Sequence, residues 1–157
     1  MITIGNDAFS NCNGLTTIII GNNVKKIENN AFSFCNELTS VIFGNNDLII
    51  GNSVINFDNM IFSGCHSLSS VHYCRNISIF ISSNLFEECS SDLQVYVTPS
   101  YIENYQKFAD RYVKEGAICS IQKPTSTFSY YMYVSNINYY ILFLYPLYFA
   151  FYLRNEF

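Results

Sequence analysis

A 23-residue self-similarity is the feature of this sequence that leaves the fewest folds open. Ala8-Phe9 with Cys12, Leu15 and Ile18 recurs 23 residues on as Ala31-Phe32 with Cys35, Leu38 and Val41. Ile61-Phe62, Cys65, Leu68 and Val71 follow after 30 residues, and Leu85-Phe86, Cys89 and Val95 after 24 more. The longer step places an insertion at 44–50, where Gly44-Asn45-Asn46 is echoed by Gly51-Asn52-Ser53. One more apolar position is fixed in each unit, at Ile4, Ile27, Phe57 and Ile81. A constant period of about 20–50 residues marks an architecture built by stacking one small unit on the next.

Each unit reads as a short strand, at 15–20, 38–43, 68–73 and 93–97, then a Gly/Asn turn and a return segment carrying the Phe. Strand alternation turns Ile18 and Ile20 to one face and Thr17 and Ile19 to the other. One rung buries four or five apolar side chains at roughly 1.5–3 kcal/mol each. Ordering its residues costs about 1–2 kcal/mol apiece. A single rung is therefore unstable alone, and stacking is what stabilises it. The outward positions of the four strands then lie side by side: Thr17 and Ile19, Ser40 and Ile42, Ser70 and His72, Gln94 and Tyr96. This nearly uncharged strip is the predicted binding surface.

These residues resemble the BspA-like leucine-rich-repeat proteins, whose unit runs Ile-Gly, Ala-Phe, Cys, Leu, Val/Ile over a similar length. Ile4-Gly5 to Ile20 and Ile27 to Phe43 match that unit well, and the resemblance covers positions 1–122. Met60-Ile61 departs from the small residue expected before Phe, and Asp92 stands where the strand Leu is expected. The resemblance implies an α/β leucine-rich-repeat solenoid of about four rungs. It also implies a non-catalytic module for protein or glycan ligands, located at a cell surface or membrane and engaged in adhesion to host cells. A second reading is a partial array without a ligand of its own.

The repeats are expected over 1–97, a C-terminal cap over 98–122 and an apolar tail over 123–157. Thr98 can cap a helix with Pro99 at its first position, Arg111 and Lys114 suit its far end, and Gly116 can close it. Tyr101, Tyr105, Phe108 and Tyr112 then form one apolar stripe over the open end of the core. Residues 117–121 read as a last strand, as the resemblance also implies. No cap precedes the first rung, so the chain reads as a fragment of a longer array, or as one whose first edge is covered by a partner or by its own tail. No basic leader with an apolar core opens the chain, so the expectation is a cytoplasmic protein, export by another route, or a true start upstream of Met1.

From Pro124 to Leu153 there is no Asp, Glu, Lys or Arg, and residues 130–153 reach the length of a membrane-spanning helix. Ser135, Asn136, Asn138 and Pro146 interrupt that run, and tyrosine favours membrane interfaces over their centres. Three readings stay open: a membrane anchor, a segment buried on the array or on a partner, and a non-native translated tail.

The chain is 50% hydrophobic and 13% charged, with a net charge of −4 and no basic run. That combination excludes an electrostatic grip on phosphate backbones, so no nucleic-acid partner is expected. The six cysteines, Cys12, Cys35, Cys65, Cys74, Cys89 and Cys119, lack the close pairs of a zinc site. Four of them share one rung position and read as a buried column of structural thiols, although stacking also brings neighbours within disulfide reach. His66 and His72 read as solvated side chains, and Glu87-Glu88 as an exposed loop edge. No nucleophile–base–acid signature and no phosphate loop is present, so neither catalysis nor a cofactor is expected. Asn76-Ile77-Ser78 is a glycosylation sequon.

Overall fold

The computed structural model describes residues 2–44, 56–75, 84–102, 105–119, 131–134, 139–144 and 149–154. Ile81, the sequon at 76–78 and the insertion beyond Gly44 lie outside them. In chain order the elements are β1 (Ile2–Ile4), β2 (Thr17–Ile20), β3 (Val24–Ile27), β4 (Ser40–Phe43), β5 (Asn56–Phe57), β6 (Ser70–Tyr73) and β7 (Gln94–Val97). There follow α1 (Pro99–Ile102), β8 (Lys107–Phe108), β9 (Arg111–Glu115), β10 (Tyr131–Val134), β11 (Tyr139–Leu144) and β12 (Phe149–Arg154).

The period of the sequence becomes a period of hydrogen bonding. Strands β2, β4, β6 and β7 pair in parallel with equivalent positions opposite one another: Ile18 to Val41, Val71 and Val95. The first three units contribute a second strand, because β1, β3 and β5 form a parallel sheet of their own in which Ile4, Ile27 and Phe57 are paired and buried. The return segments stack as well. Phe9 N–H donates to Ala31 O at 2.8 Å, Phe32 N–H to Ile61 O at 2.9 Å, and Phe62 N–H to Leu85 O at 3.1 Å. Buried backbone groups that make no bond within a rung are thus satisfied by the next one.

Between the two sheets runs the core. Leu15, Leu38, Leu68 and Leu93 are all buried in it. The repeated Phe rings form a stack, with centroids 5.2 Å apart from Phe9 to Phe32, 5.6 Å from Phe32 to Phe62, and 6.0 Å from Phe62 to Phe86. Beside it the cysteine column bridges rungs. The thiols of Cys35, Cys65 and Cys89 donate to the carbonyls of Phe9, Phe32 and Phe62 at 3.2, 3.1 and 3.1 Å.

To turn within so few residues, the first three returns use left-handed backbone at two fixed places and the fourth at the second of them. One is Asp7, Asn30 and Met60; the other is Asn11, Phe34, Gly64 and Glu88. Asn and Asp enter this region with little strain, whereas a longer L side chain costs about 1 kcal/mol or more. At Gly64 the requirement is double, since φ is +70° and a Cβ would collide with the Phe34 ring. Met60, at φ 56°, is 38% exposed and lies outside the buried core. Met60→Asn is therefore expected to raise stability by about 0.5–1 kcal/mol. A urea midpoint that fell instead would show that the methionine contributes more by contact than it costs in strain.

The cap differs from the expected helix. Thr98 and Pro99 do start one, but α1 is a single turn, and from Lys107 to Glu115 β8 and β9 form an antiparallel hairpin through Ala109-Asp110. Of the predicted stripe Tyr101 and Phe108 are buried, while Tyr105 and Tyr112 are 37% and 74% exposed. The physical reason is the edge of β7. A helix would leave its ladder groups without strand partners, whereas β9 pairs with it in parallel, Val95 to Val113 and Val97 to Glu115. The strand that continues the ladder beyond β7 is thus 111–115, where one at 117–121 was expected. Residues 117–119 carry none, and 120–121 lie outside the described residues.

The tail departs from a spanning helix in the same way. β10 pairs in parallel with β2, Tyr131 to Thr17 through Val134 to Ile20, as the strand of a preceding rung would. β11 and β12 add antiparallel strands outside it. Aromatic and β-branched residues favour strands over helix, and β2 offers an unpaired edge to receive them. Among the described residues no helix is long and apolar enough to cross a membrane.

Candidate interaction surface

The eight residues of the predicted strip are brought together in two columns. Thr17, Ser40, Ser70 and Gln94 pair in register along one, and Ile19, Ile42, His72 and Tyr96 along the other. They are less open than strand alternation alone implies. Ile19 and His72 are buried at 5% and 7%, and the other six are half-buried. Part of the first column is also self-satisfied, with the Ser70 hydroxyl donating to that of Ser40 at 3.2 Å and the Gln94 amide to Asp92 O at 2.9 Å.

His72 is not the solvated side chain expected from its strand position. Its ring stacks on Tyr96 at 5.0 Å and 11°, and its Nδ1 accepts the Ile118 N–H at 3.1 Å. Accepting that bond requires a neutral imidazole with its proton on Nε2, and burial lowers its pKa from the ordinary 6.5. As pH falls, the unfolded chain takes up this proton first, so the native state loses stability from the ordinary histidine pKa down through the lower native one. Above that window the contribution is complete. The urea midpoint is expected to fall between about pH 7 and 5 by more in the natural chain than in His72→Gln. Parallel curves for the two would show that His72 is not held neutral.

The segment that covers His72 comes from beyond β9. Gly116, at φ +114°, turns the chain back so that its own N–H and that of Ala117 both reach Val97 O, at 3.1 and 3.2 Å. A disulfide then joins Cys119 to Cys74, with Cα atoms 5.5 Å apart. These two cysteines are not members of the four-thiol column read from the sequence. They stand outside the repeated position, and their pairing depends on where the strap runs. Cys12, Cys35, Cys65 and Cys89 are free thiols. Burial pushes Cys89 up to about 11, and the adjacent Cys35 thiol together with burial pushes Cys65 higher. Such thiols are hydrogen-bond donors and poor nucleophiles.

β9 adds two residues to the outward face that the sequence reading missed. Lys114 pairs beside Tyr96, and Tyr112, two positions earlier on the same face, stands exposed with Lys107 Nζ 4.7 Å from its ring centroid. Helical spacing had hidden them. His66 stays exposed in its turn, its Nδ1 3.0 Å from Glu88 O, and Glu87 and Glu88 are exposed as expected. Among the described residues no group of His, Cys, Asp or Glu could hold a metal.

A parallel ladder of Leu-, Phe- and Cys-bearing rungs defines a leucine-rich-repeat protein. The model of the BspA type leucine rich repeat region matches in six copies over residues 1–109 and 44–142, and the chain belongs to that family. The match runs further than the four units and the limit at 122 read from the sequence. No curated protein and no solved structure matches the chain.

Proposed function

We propose that this chain is a non-catalytic, protein-binding repeat module, in which units 1–97 stack as a short solenoid capped by 98–122 and the outward strand face receives the ligand. The supporting observation is the register: Thr17, Ser40, Ser70 and Gln94 in one column, and Ile19, Ile42, His72 and Tyr96 in the other, stand on one continuous surface. Lys114 and Tyr112 extend it to β9. Solenoids bind through such repeated strand faces. Tyrosine and isoleucine supply contact area, and the low charge suits a protein surface or a glycan better than an ionic ligand. The family is generally surface-associated, and adhesion to a host cell is the role that follows from this placement.

The test compares the natural chain with Ile42→Ala/Tyr96→Ala/Tyr112→Ala for binding to immobilised cell-surface preparations. Parallel samples of the surface are stripped with protease or with glycosidase to separate protein from glycan ligands. The variant is expected to bind at least about tenfold more weakly, since truncated aromatic anchors commonly cost that much. Equal binding by both chains would place the site elsewhere.

A further inference from the structure

The outward face is crossed by a strap whose firmest attachment is covalent. Residues 116–119 leave β9, pass the end of β7 and reach β6, against the direction in which the rungs advance. They form no strand. Two of their N–H groups share the Val97 carbonyl, and a third is given to the His72 side chain. Ile118, 56% exposed, lies over the strip with its side chain to solvent. Against this thin backbone attachment stands the bond from Cys119 to Cys74, the residue that follows β6.

Cys74 also differs from the four column cysteines in what surrounds it. Those are placed by the repeat, and three of them, Cys35, Cys65 and Cys89, give their thiols to carbonyls of the preceding rung. Cys74 lies past the strand end, half-buried, while Cys119 is 8% exposed. An attacking thiolate therefore reaches the Cys74 sulfur first.

We propose that Cys74–Cys119 is a thiol-releasable clasp: it holds residues 116–119 across the outward face, and a low-molecular-weight thiol opens it to uncover His72 for binding. The reading of the outward face as a binding surface is what gives this release a function. In the chemical step a thiolate bonds to the Cys74 sulfur, the Cys74–Cys119 bond breaks, and Cys119 leaves as a thiolate that takes a proton. A second thiol then attacks the mixed disulfide and frees Cys74. The protein disulfide gains two electrons, and two small thiols become one small disulfide. Once released, a segment held by so few backbone bonds opens locally without opening the sheet.

The experiment uses the full chain and needs no ligand, so its failure is distinct from a failure of the binding reading. The oxidised chain, denatured without reductant, should alkylate at Cys12, Cys35, Cys65 and Cys89 and yield a peptide pair linked through Cys74 and Cys119. Diethyl pyrocarbonate then labels the two histidines, with exposed His66 as the internal reference. In Cys74→Ser/Cys119→Ser, and in the natural chain after reduction and capping of the released thiols, His72 is expected to label at least about tenfold faster and His66 at its former rate, as local opening implies. The Val71 and Val95 amides, which report opening of the sheet, should still exchange more slowly than His72 labels. Unchanged His72 labelling in the opened chain would overturn the proposal. So would sheet amides that open together with His72, because the bridge would then be a structural staple, and so would the absence of the linked peptide pair.

Discussion

Phe62→Ala is expected to lower the unfolding free energy by about 3–5 kcal/mol, a large share of the roughly 5–15 kcal/mol that holds a domain folded. The ring is fully buried. It is stacked between Phe32 at 5.6 Å and Phe86 at 6.0 Å, and meets the edge of Phe43 at 6.1 Å. Truncation therefore opens a cavity in the middle of the stack, where rungs on both sides lose a neighbour. Backbone strands alone cannot close it, because the return segments are fixed to one another by hydrogen bonds at Phe32 and Phe62. With no tryptophan in the chain, tyrosine fluorescence follows urea unfolding, reported by buried Tyr73 and Tyr101. The same truncation at Phe34, which is 44% exposed, is expected to shift the transition by about 0.5 kcal/mol or less. Equal losses at the two sites would mean that the Phe stack does not hold the rungs together.

That contrast follows from what the sequence displays and what it hides. Positions that repeat are legible, because each rung meets the same surroundings as the last. Leu15, Leu38, Leu68 and Leu93 are buried, the four column cysteines are placed by the period, and β2, β4, β6 and β7 fall within the predicted strands. The second sheet is harder to see. Its strands β1, β3 and β5 run for only two to four residues, and a single fixed apolar position is all that marks them.

Features that occur once depend on contacts between distant parts of the chain, and local spacing misreads them. Tyr101, Tyr105, Phe108 and Tyr112 have helical spacing, yet β7 has an edge to fill, and β9 fills it. His72 points outward from its strand as alternation requires, and is buried because a segment 46 residues away donates to it. The apolar run at 130–153 has the length of a membrane helix, but its described parts, 131–134, 139–144 and 149–153, pair as strands, the first of them beside β2. The candidate surface was legible as a set of positions. Its openness was not, since exposure is decided by the strap.

Phe108→Ala is the second large effect, and it tests how far the cap reaches. Phe108 is fully buried in β8, beyond the four rungs read from the sequence, and a loss of about 3–5 kcal/mol is expected. In an array where each rung feels only its neighbours, that loss would fray the C-terminal edge and leave the first rungs untouched. The contacts of this ring argue otherwise. It lies 4.9 Å from Tyr73 and 6.3 Å from Phe86, but also 6.2 Å from Phe57 and 6.3 Å from Phe43. Those last two belong to the second and third rungs, so one aromatic side chain from the cap joins three successive units. Hydrogen exchange separates the cases through the amides of Val113 in β9 and Val41 in β4. Both are expected to accelerate together, by about 100-fold or more at the stated loss. Acceleration at Val113 alone would make the cap a terminal ornament on an array that is stable without it. Acceleration in step makes it the element that turns short, individually unstable rungs into one cooperative unit.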